Sequence, residues 1–213
     1  MLPATLLLCL ALLPALAQDK VLCPDLGKLA EGKSWKLVNR IVQTAEKDGK
    51  TSVRFSDGNG IGIAWLEDLT FTNGTIEFDV RGTNVLQHSF VGVAFHGADD
   101  QAYDAVYFRP FNFRTEDAAR RLRAVQYISH PTYTWSKLRQ EKPGQYEKPV
   151  MPAPDPDGWF HVRVMVTHPK VSVFVNETKE PCLVVEQLSD RKSGRIGLWV
   201  DVGGGEFANL KIK

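Results

Sequence analysis

The feature that most constrains this chain is the strict alternation of apolar and polar side chains through residues 74–112, in three runs separated by polar turns. Ile76, Phe78 and Val80 alternate with Glu77, Asp79 and Arg81 in Thr75–Arg81, and Val91, Val93 and Phe95 alternate with Gly92, Ala94 and His96 in Ser89–His96. In Tyr103–Arg109, Val106 and Phe108 alternate with Ala105, Tyr107 and Arg109. A repeat of two is the side-chain period of a β-strand, and it needs a sheet with one face packed and one face open. The same reading extends along the chain, to Trp35–Val38, Ile41–Ala45, Thr51–Phe55, Ile61–Trp65, Leu122–Ser129, Trp159–Thr167, Val171–Asn176, Cys182–Val185, Arg195–Val200 and Glu206–Ile212. His168-Pro169-Lys170 joins two of these strands at a hairpin's length. Only Thr115–Arg121 has helical composition. Strands without alternating helices predict an all-β protein, an antiparallel sandwich or barrel.

Residues Met1 to Ala17 carry no charge, run apolar from Leu6 to Leu16 and end in Ala15-Leu16-Ala17. A short apolar segment closed by a small-x-small site reads as a secretory signal cut before Gln18, although no Lys or Arg precedes it. About 196 residues then remain, enough for one domain with a substantial core. The expected organisation is a signal at 1–17, an N-terminal extension at 18–34 and the β domain at 35–213. The expected location is outside the cell or in the periplasm. With 26 basic against 25 acidic residues, the balance argues against nucleic acid and against an anionic membrane surface.

Two cysteines follow the leader, Cys23 and Cys182. In an oxidising compartment an even pair points to one disulfide, and two separate thiols are the other reading. The segment 143–158 holds five prolines. Proline cannot donate into a ladder, so this piece is expected to run outside the sheets, as a loop over the sandwich that offers Tyr146, Glu147 and Met151 to a ligand.

Parity assigns Ile76, Phe78, Val80, Val91, Val93, Phe95, Phe160, Val162 and Val164 to the core. The open face would carry Glu77, Asp79, His96, Tyr107, Arg109 and Gln126 around the small residues Gly92 and Ala94, although Val125 and Tyr127 leave the parity of the Gln126 strand ambiguous. Polar and aromatic groups of this kind on an exported β protein point to a carbohydrate ligand. Sugar recognition uses aromatic platforms for the C–H faces of the ring and planar polar groups for pairs of hydroxyls. Residues 106–113 and 124–135 supply that mix, adding Asn112, His130, Tyr133 and Trp135 as binding candidates. Large aromatics such as Tyr127, Trp135, Trp159 and Trp199 also fit a packed core.

The strand Gly74–Gly82, the closing Gly194-Arg195-Ile196-Gly197-Leu198-Trp199 and the Glu206-Phe207-Ala208-Asn209-Leu210 run resemble the concanavalin A-like lectin/glucanase superfamily. They are similar to its laminin-G-like and 3-keto-disaccharide-hydrolase-type domains. The resemblance covers about residues 35–213 and implies a two-sheet jelly roll whose concave sheet often holds glycan. It does not imply an activity, because lectins, hydrolases and adhesion modules share the fold. Glucanases of the superfamily place Glu, Asp and Glu on alternate positions of one strand. Here the series runs Glu77, Asp79, Arg81, and an arginine cannot serve as a general acid. Glu77 and Asp79 remain a candidate carboxylate pair, with a salt-bridged strand beside Arg81, Arg109 or Arg163 as the simpler reading.

Three functions follow: a carbohydrate-binding domain first, a glycoside hydrolase using Glu77 and Asp79 second, and a laminin-G-type protein-interaction module third. The expected partner is an oligo- or polysaccharide, with no membrane contact once the leader is cut. No organic cofactor is expected. The five histidines show no zinc-site spacing, and neither a phosphate-cradling loop nor a Gly-x-Ser-x-Gly elbow is present. Calcium is the one candidate metal, at the turns Asp57–Gly60, Asp99-Asp100 and Asp155–Gly158, whose residues equally make ordinary turns.

Overall fold

The computed structural model describes residues 21–47 and 49–213, and the expected leader at 1–17 lies outside them. Two seven-stranded antiparallel sheets face each other. One, the front sheet, is built from β1 (Trp35–Val38), β4 (Ile61–Leu66), β6 (Phe90–Gly97), β7 (Tyr103–Phe108), β8 (Val125–His130), β9 (Glu147–Lys148) and β13 (Arg195–Asp201), in the order β1-β4-β13-β6-β7-β8-β9. The back sheet holds β2 (Val42–Lys47), β3 (Lys50–Phe55), β5 (Gly74–Arg81), β10 (Phe160–Thr167), β11 (Lys170–Val175), β12 (Leu183–Glu186) and β14 (Gly205–Ile212), in the order β12-β11-β10-β5-β14-β3-β2. The fold is therefore a β-sandwich of the jelly-roll kind, not a closed barrel.

Alternation drives the packing. Ile76, Phe78 and Val80 of β5 and Val162 and Val164 of β10 are fully buried against Val91, Val93 and Phe95 of β6 and Val106 and Phe108 of β7. Each side chain of this size contributes roughly 1.5–3 kcal/mol on burial. The hairpin expected around Pro169 is present, with Thr167 opposite Lys170. The parity of β8 is settled by its register, because Gln126 lies opposite Tyr107 and Tyr127 opposite Val106. Gln126 thus shares the outer face with Tyr107, and Tyr127 turns into the core.

Several expectations are corrected. Helices occur outside the single expected region: α1 (Leu26–Ala30) buries Leu29, α2 (Ala118–Arg121) falls where helix was expected, and α3 (Trp135–Glu141) buries Leu138. The helix α3 begins at Thr134, whose side chain accepts a bond from the Lys137 amide. The proline-rich segment does enter a sheet. Residues 144–148 between Pro143 and Pro149 lack proline, and β9 there pairs Lys148 with Val125 and Glu147 with Gln126. Cys23 is exposed and Cys182 half-buried, both as free thiols, so the expected bridge is absent.

The outer face of the front sheet differs most from expectation. Instead of an open polar surface it carries a second apolar cluster, including Ile63, Trp65, Ala94, Tyr103, Ala105, Tyr107, Ile128 and Trp199, capped by Leu138 from α3. Gly92 leaves no room for a ligand, because a Cβ there would lie 2.6 Å from the Tyr107 Cα. Tyr107 stacks on Trp199 with centroids 4.8 Å apart.

Candidate functional site

Tyr107 and Gln126 are cross-strand partners on β7 and β8, and Arg109, the residue directly after β7, lies two positions beyond Tyr107 on the same face. That spacing assembles a buried polar triad. The Arg109 Nη2 donates to the Tyr107 hydroxyl at 2.7 Å and to the Gln126 Oε1, and its Nη1 donates to the Arg123 carbonyl at 3.0 Å. The Tyr107 hydroxyl donates to the Gln126 Oε1 at 3.1 Å. Arg109 is only 5% exposed, and burial lowers its pKa from the ordinary arginine value without removing its charge at neutral pH. Burial pushes the Tyr107 hydroxyl up to about 12, so it stays a neutral donor.

The charge of Arg109 is met by Glu147, the residue that β9 carries to the edge of the sheet. Its carboxylate lies 3.9 Å from the Arg109 Nη1 and accepts a fork from Arg139, at 3.2 Å from Nε and 2.9 Å from Nη2. The Arg123 Nε lies 3.5 Å away. Asn112, in the 3₁₀ turn Pro110–Asn112 that follows β7, bonds the Arg123 carbonyl at 3.0 Å and accepts from the Arg120 Nε at 3.2 Å. Three segments are thereby locked around one point: the turn after β7, the end of α2 and β9.

Above this network opens a cavity of about 420 Å³, lined by Phe90, Tyr107, Arg109, Phe111, Asn112, Arg120, Arg123, Trp135, Arg139 and Asp201 among others. Its volume falls in the range of small-molecule sites, roughly 300–1,000 Å³. Trp135 at the start of α3 is 48% exposed with the Arg139 guanidinium 4.9 Å from its ring. Asp201, the last residue of β13, is the one carboxylate in the lining among the described residues, and it makes no ion pair within 4.0 Å there. Burial raises its pKa above the usual aspartate value.

Of the sequence candidates, Tyr107, Arg109, Asn112, Gln126 and Trp135 thus come together. His130 ends β8 and Tyr133 lies in the turn between β8 and α3; both line a separate open cavity of about 440 Å³ with Arg191. There the His130 ring stacks on Tyr103 at 5.2 Å. His96 leaves the outer face altogether. Two residues of β6, Phe95 and His96, lie between Ala94 and Gly97 where β13 has one, Ile196, between Gly197 and Arg195. This bulge, with His96 at φ 49°, turns its ring inward. There it is fully buried beside Phe71, bonded to the Thr72 carbonyl at 2.6 Å and to the Gln187 amide at 3.0 Å.

Glu77 and Asp79 also leave the candidate site. They lie on β5 of the back sheet, facing away from the front sheet that carries Tyr107 and Gln126. Lys213 bonds the Glu77 carboxylate at 2.9 Å, and that bond holds it below the usual glutamate range. Asp79 accepts from Lys50 at 2.6 Å, His161 at 2.8 Å and Asn209 at 2.7 Å. Burial pushes Asp79 up, but these three donors outweigh it and keep the carboxyl below its ordinary range. A carboxylate so held is a poor proton donor. The partners are lysine and histidine rather than Arg109 or Arg163, which instead sits 3.9 Å over the Phe174 ring. Arg81 is paired with Glu206.

Oxygens offered to calcium are engaged as acceptors of backbone amides. Asp57 takes the Gly204 amide at 2.7 Å, Asp99 those of Gln101 and Ala102, and Asp155 that of Asp157. No group of three His, Cys, Asp or Glu side chains among the described residues is placed to hold a metal ion.

Residues of the cavity not anticipated are Phe90, Phe111, Arg120, Arg123, Arg139 and Asp201. Asp201 had a signal, since Gly197, Trp199 and Asp201 share one parity. The arginines sit on α2, α3 and the turn between α2 and β8, where no strand repeat points.

Solved structures with the same architecture are distant in sequence. The carbohydrate binding module CBM66 from Bacillus subtilis aligns at 14% identity over 84% of this chain and 96% of that one, with a TM-score of 0.57. A putative glycosyl hydrolase from Parabacteroides distasonis aligns at 14% identity over 84% and 88%, with a TM-score of 0.51. The carbohydrate recognition domain of Emp46p in metal-free form aligns at 13% over 87% and 89%, also with a TM-score of 0.51. At such identity these likenesses establish the fold. No curated protein matches the chain. A family model matches residues 26–213, from α1 through the final strand, and by that match the chain belongs to the 3-keto-alpha-glucoside-1,2-lyase-like domain family.

Proposed function

We propose that this protein binds carbohydrate in the cavity over β7, β8 and α3. The observation that carries this is the set Tyr107, Arg109 and Gln126, buried and locked by mutual hydrogen bonds beneath a cavity with the half-exposed Trp135 on its rim. Rigid planar polar groups beside an exposed indole are what a ring of hydroxyls and C–H faces requires. The Gln126 Nε2 is buried with no partner among the described residues, which leaves a donor for a ligand or water to satisfy. The folds of a carbohydrate binding module and a carbohydrate recognition domain support the same reading. So does the leader-like Met1–Ala17 segment, consistent with a secreted protein acting on extracellular glycan.

A glycan array probed with the purified chain tests this. Retention of an oligosaccharide class by the wild type, weakened by Trp135→Ala, is expected. Indifference to every glycan would overturn the proposal in favour of a protein-interaction module. A second reading, turnover of the bound sugar, is favoured by one observation: Asp201 is unpaired in the cavity and its pKa is raised by burial. A carboxyl whose pKa is raised by burial is a better proton donor than an ordinary aspartate. Product release lost in Asp201→Asn would establish turnover, and binding with no release at any pH would exclude it. Neither outcome involves Glu77 or Asp79.

A further inference from the structure

We infer that the cavity selects saccharides bearing an anionic group, a uronate carboxylate or a sulfate ester, and seats that group against Arg120 and Arg123. This rests on the reading of the cavity as a carbohydrate site and specifies its ligand class. Four guanidinium groups, from Arg109, Arg120, Arg123 and Arg139, line it together with a single carboxylate, Asp201. Glu147 lies beneath three of the four, within 4.0 Å of Arg109, Arg123 and Arg139. Even with Glu147 and Asp201 both counted as charged, cations exceed anions by two. The whole chain is balanced to +1, so the excess is local to this site and not a property of the surface at large.

The surplus is positioned rather than scattered. Arg120 makes no ion pair within 4.0 Å among the described residues. Its two side-chain hydrogen bonds go to the Asn112 Oδ1 at 3.2 Å and the Phe111 carbonyl at 3.1 Å, which hold the guanidinium plane while leaving its charge unmatched. Arg123 is tethered through its own carbonyl, which accepts from both Arg109 and Asn112, and its side chain reaches Glu147 only at 3.5 Å. A planar fork held by neutral acceptors is suited to meet a carboxylate or sulfate with paired hydrogen bonds. The charges are also segregated. Asp201 ends β13, and β6 separates that strand from β7, so at the usual strand spacing it lies about 10 Å across the sheet from the β7 line. A sugar lying between them would direct its acidic substituent toward the arginines and hydroxyls toward Asp201.

Equilibrium titration of the purified full chain separates the cases, with three oligosaccharides of equal length: neutral, hexuronate-containing and sulfated. The expected result is preference for one or both acidic ligands, weakened by high salt as a desolvated but open site requires. Which acidic ligand wins names the anionic group. Arg120→Gln should lower that affinity by about tenfold or more, since charge-assisted bonds are worth roughly twice neutral ones. The same change should lower neutral-sugar binding less than it lowers acidic-sugar binding, so that the preference between the two shrinks. Arg123→Gln is a second variant with the same expectation, should Arg120→Gln disturb the Asn112 turn; thermal melts report which variant retains its fold. Equal retention of neutral and acidic ligands, insensitive to salt and to both variants, would overturn the charge selection while leaving carbohydrate binding intact. Absence of binding to all three and to an array would overturn both.

Discussion

The outer faces of the two sheets began from the same pattern and ended with opposite electrostatics. On the back sheet, Glu77, Asp79 and Glu206 each meet a cation, through Lys213, Lys50 with His161, and Arg54 with Arg81. On the front sheet, aromatic side chains cover the strands, and arginines exceed carboxylates around a cavity. Alternation supplies an outward row on either sheet. What that row does depends on what the neighbouring strands and loops bring to it. A matched row is a closed surface, whereas an unmatched one has something left to offer a ligand.

The contrast breaks first at Arg109. Arg109→Ala empties a buried side-chain volume and takes one donor each from Gln126 and the Arg123 carbonyl, which keep Tyr107 and Asn112 as partners, and urea unfolding should show a loss of about 2–4 kcal/mol together with lost glycan retention. On the back sheet, Asp79→Asn should cost about 1–3 kcal/mol in the same assay with glycan retention unchanged. A pH series sharpens this. The folded pKa of Asp79 is depressed, so its stabilisation is complete above the unfolded value of about 4 and fades as pH falls below it. Asp79→Asn should flatten the acid limb of the wild-type stability curve. Trp135→Ala, at a half-exposed position, should weaken glycan binding about five- to tenfold, as loss of roughly 1 kcal/mol of ring contact does, with an unchanged melting temperature. The smallest effect is expected from Glu77→Gln, which removes one largely surface ion pair worth under about 1 kcal/mol and should alter neither binding nor any product release.

Strand identity and inward parity were legible because both are local: Phe78, Val93 and Val162 declare their face within a few residues. Which sheet a strand joins is not local. Glu77 and Tyr107 have equivalent parity, yet lie on opposite sides of the sandwich because β5 pairs with β10 and β14 while β7 pairs with β6 and β8. His96 was misplaced by a single added residue, since a bulge reverses parity without changing composition. Tyr107, Arg109, Asn112, Gln126 and Trp135 were legible as candidates because planar polar and aromatic residues cluster in two adjacent segments. Arg120, Arg123 and Arg139 were not, because short helices and turns carry no repeat from which a direction can be read.

The two-residue strand β9 has a consequence for the molecule in solution. It is the outermost strand of the front sheet, and Pro149 follows it directly. A long flat edge would invite another chain to pair with it and propagate into aggregates. An edge this short, ending in proline and showing an exposed Lys148, offers a second copy almost nothing to extend. The residue that neutralises the buried arginine therefore arrives on the same piece of backbone that keeps neighbouring molecules from growing onto the sheet.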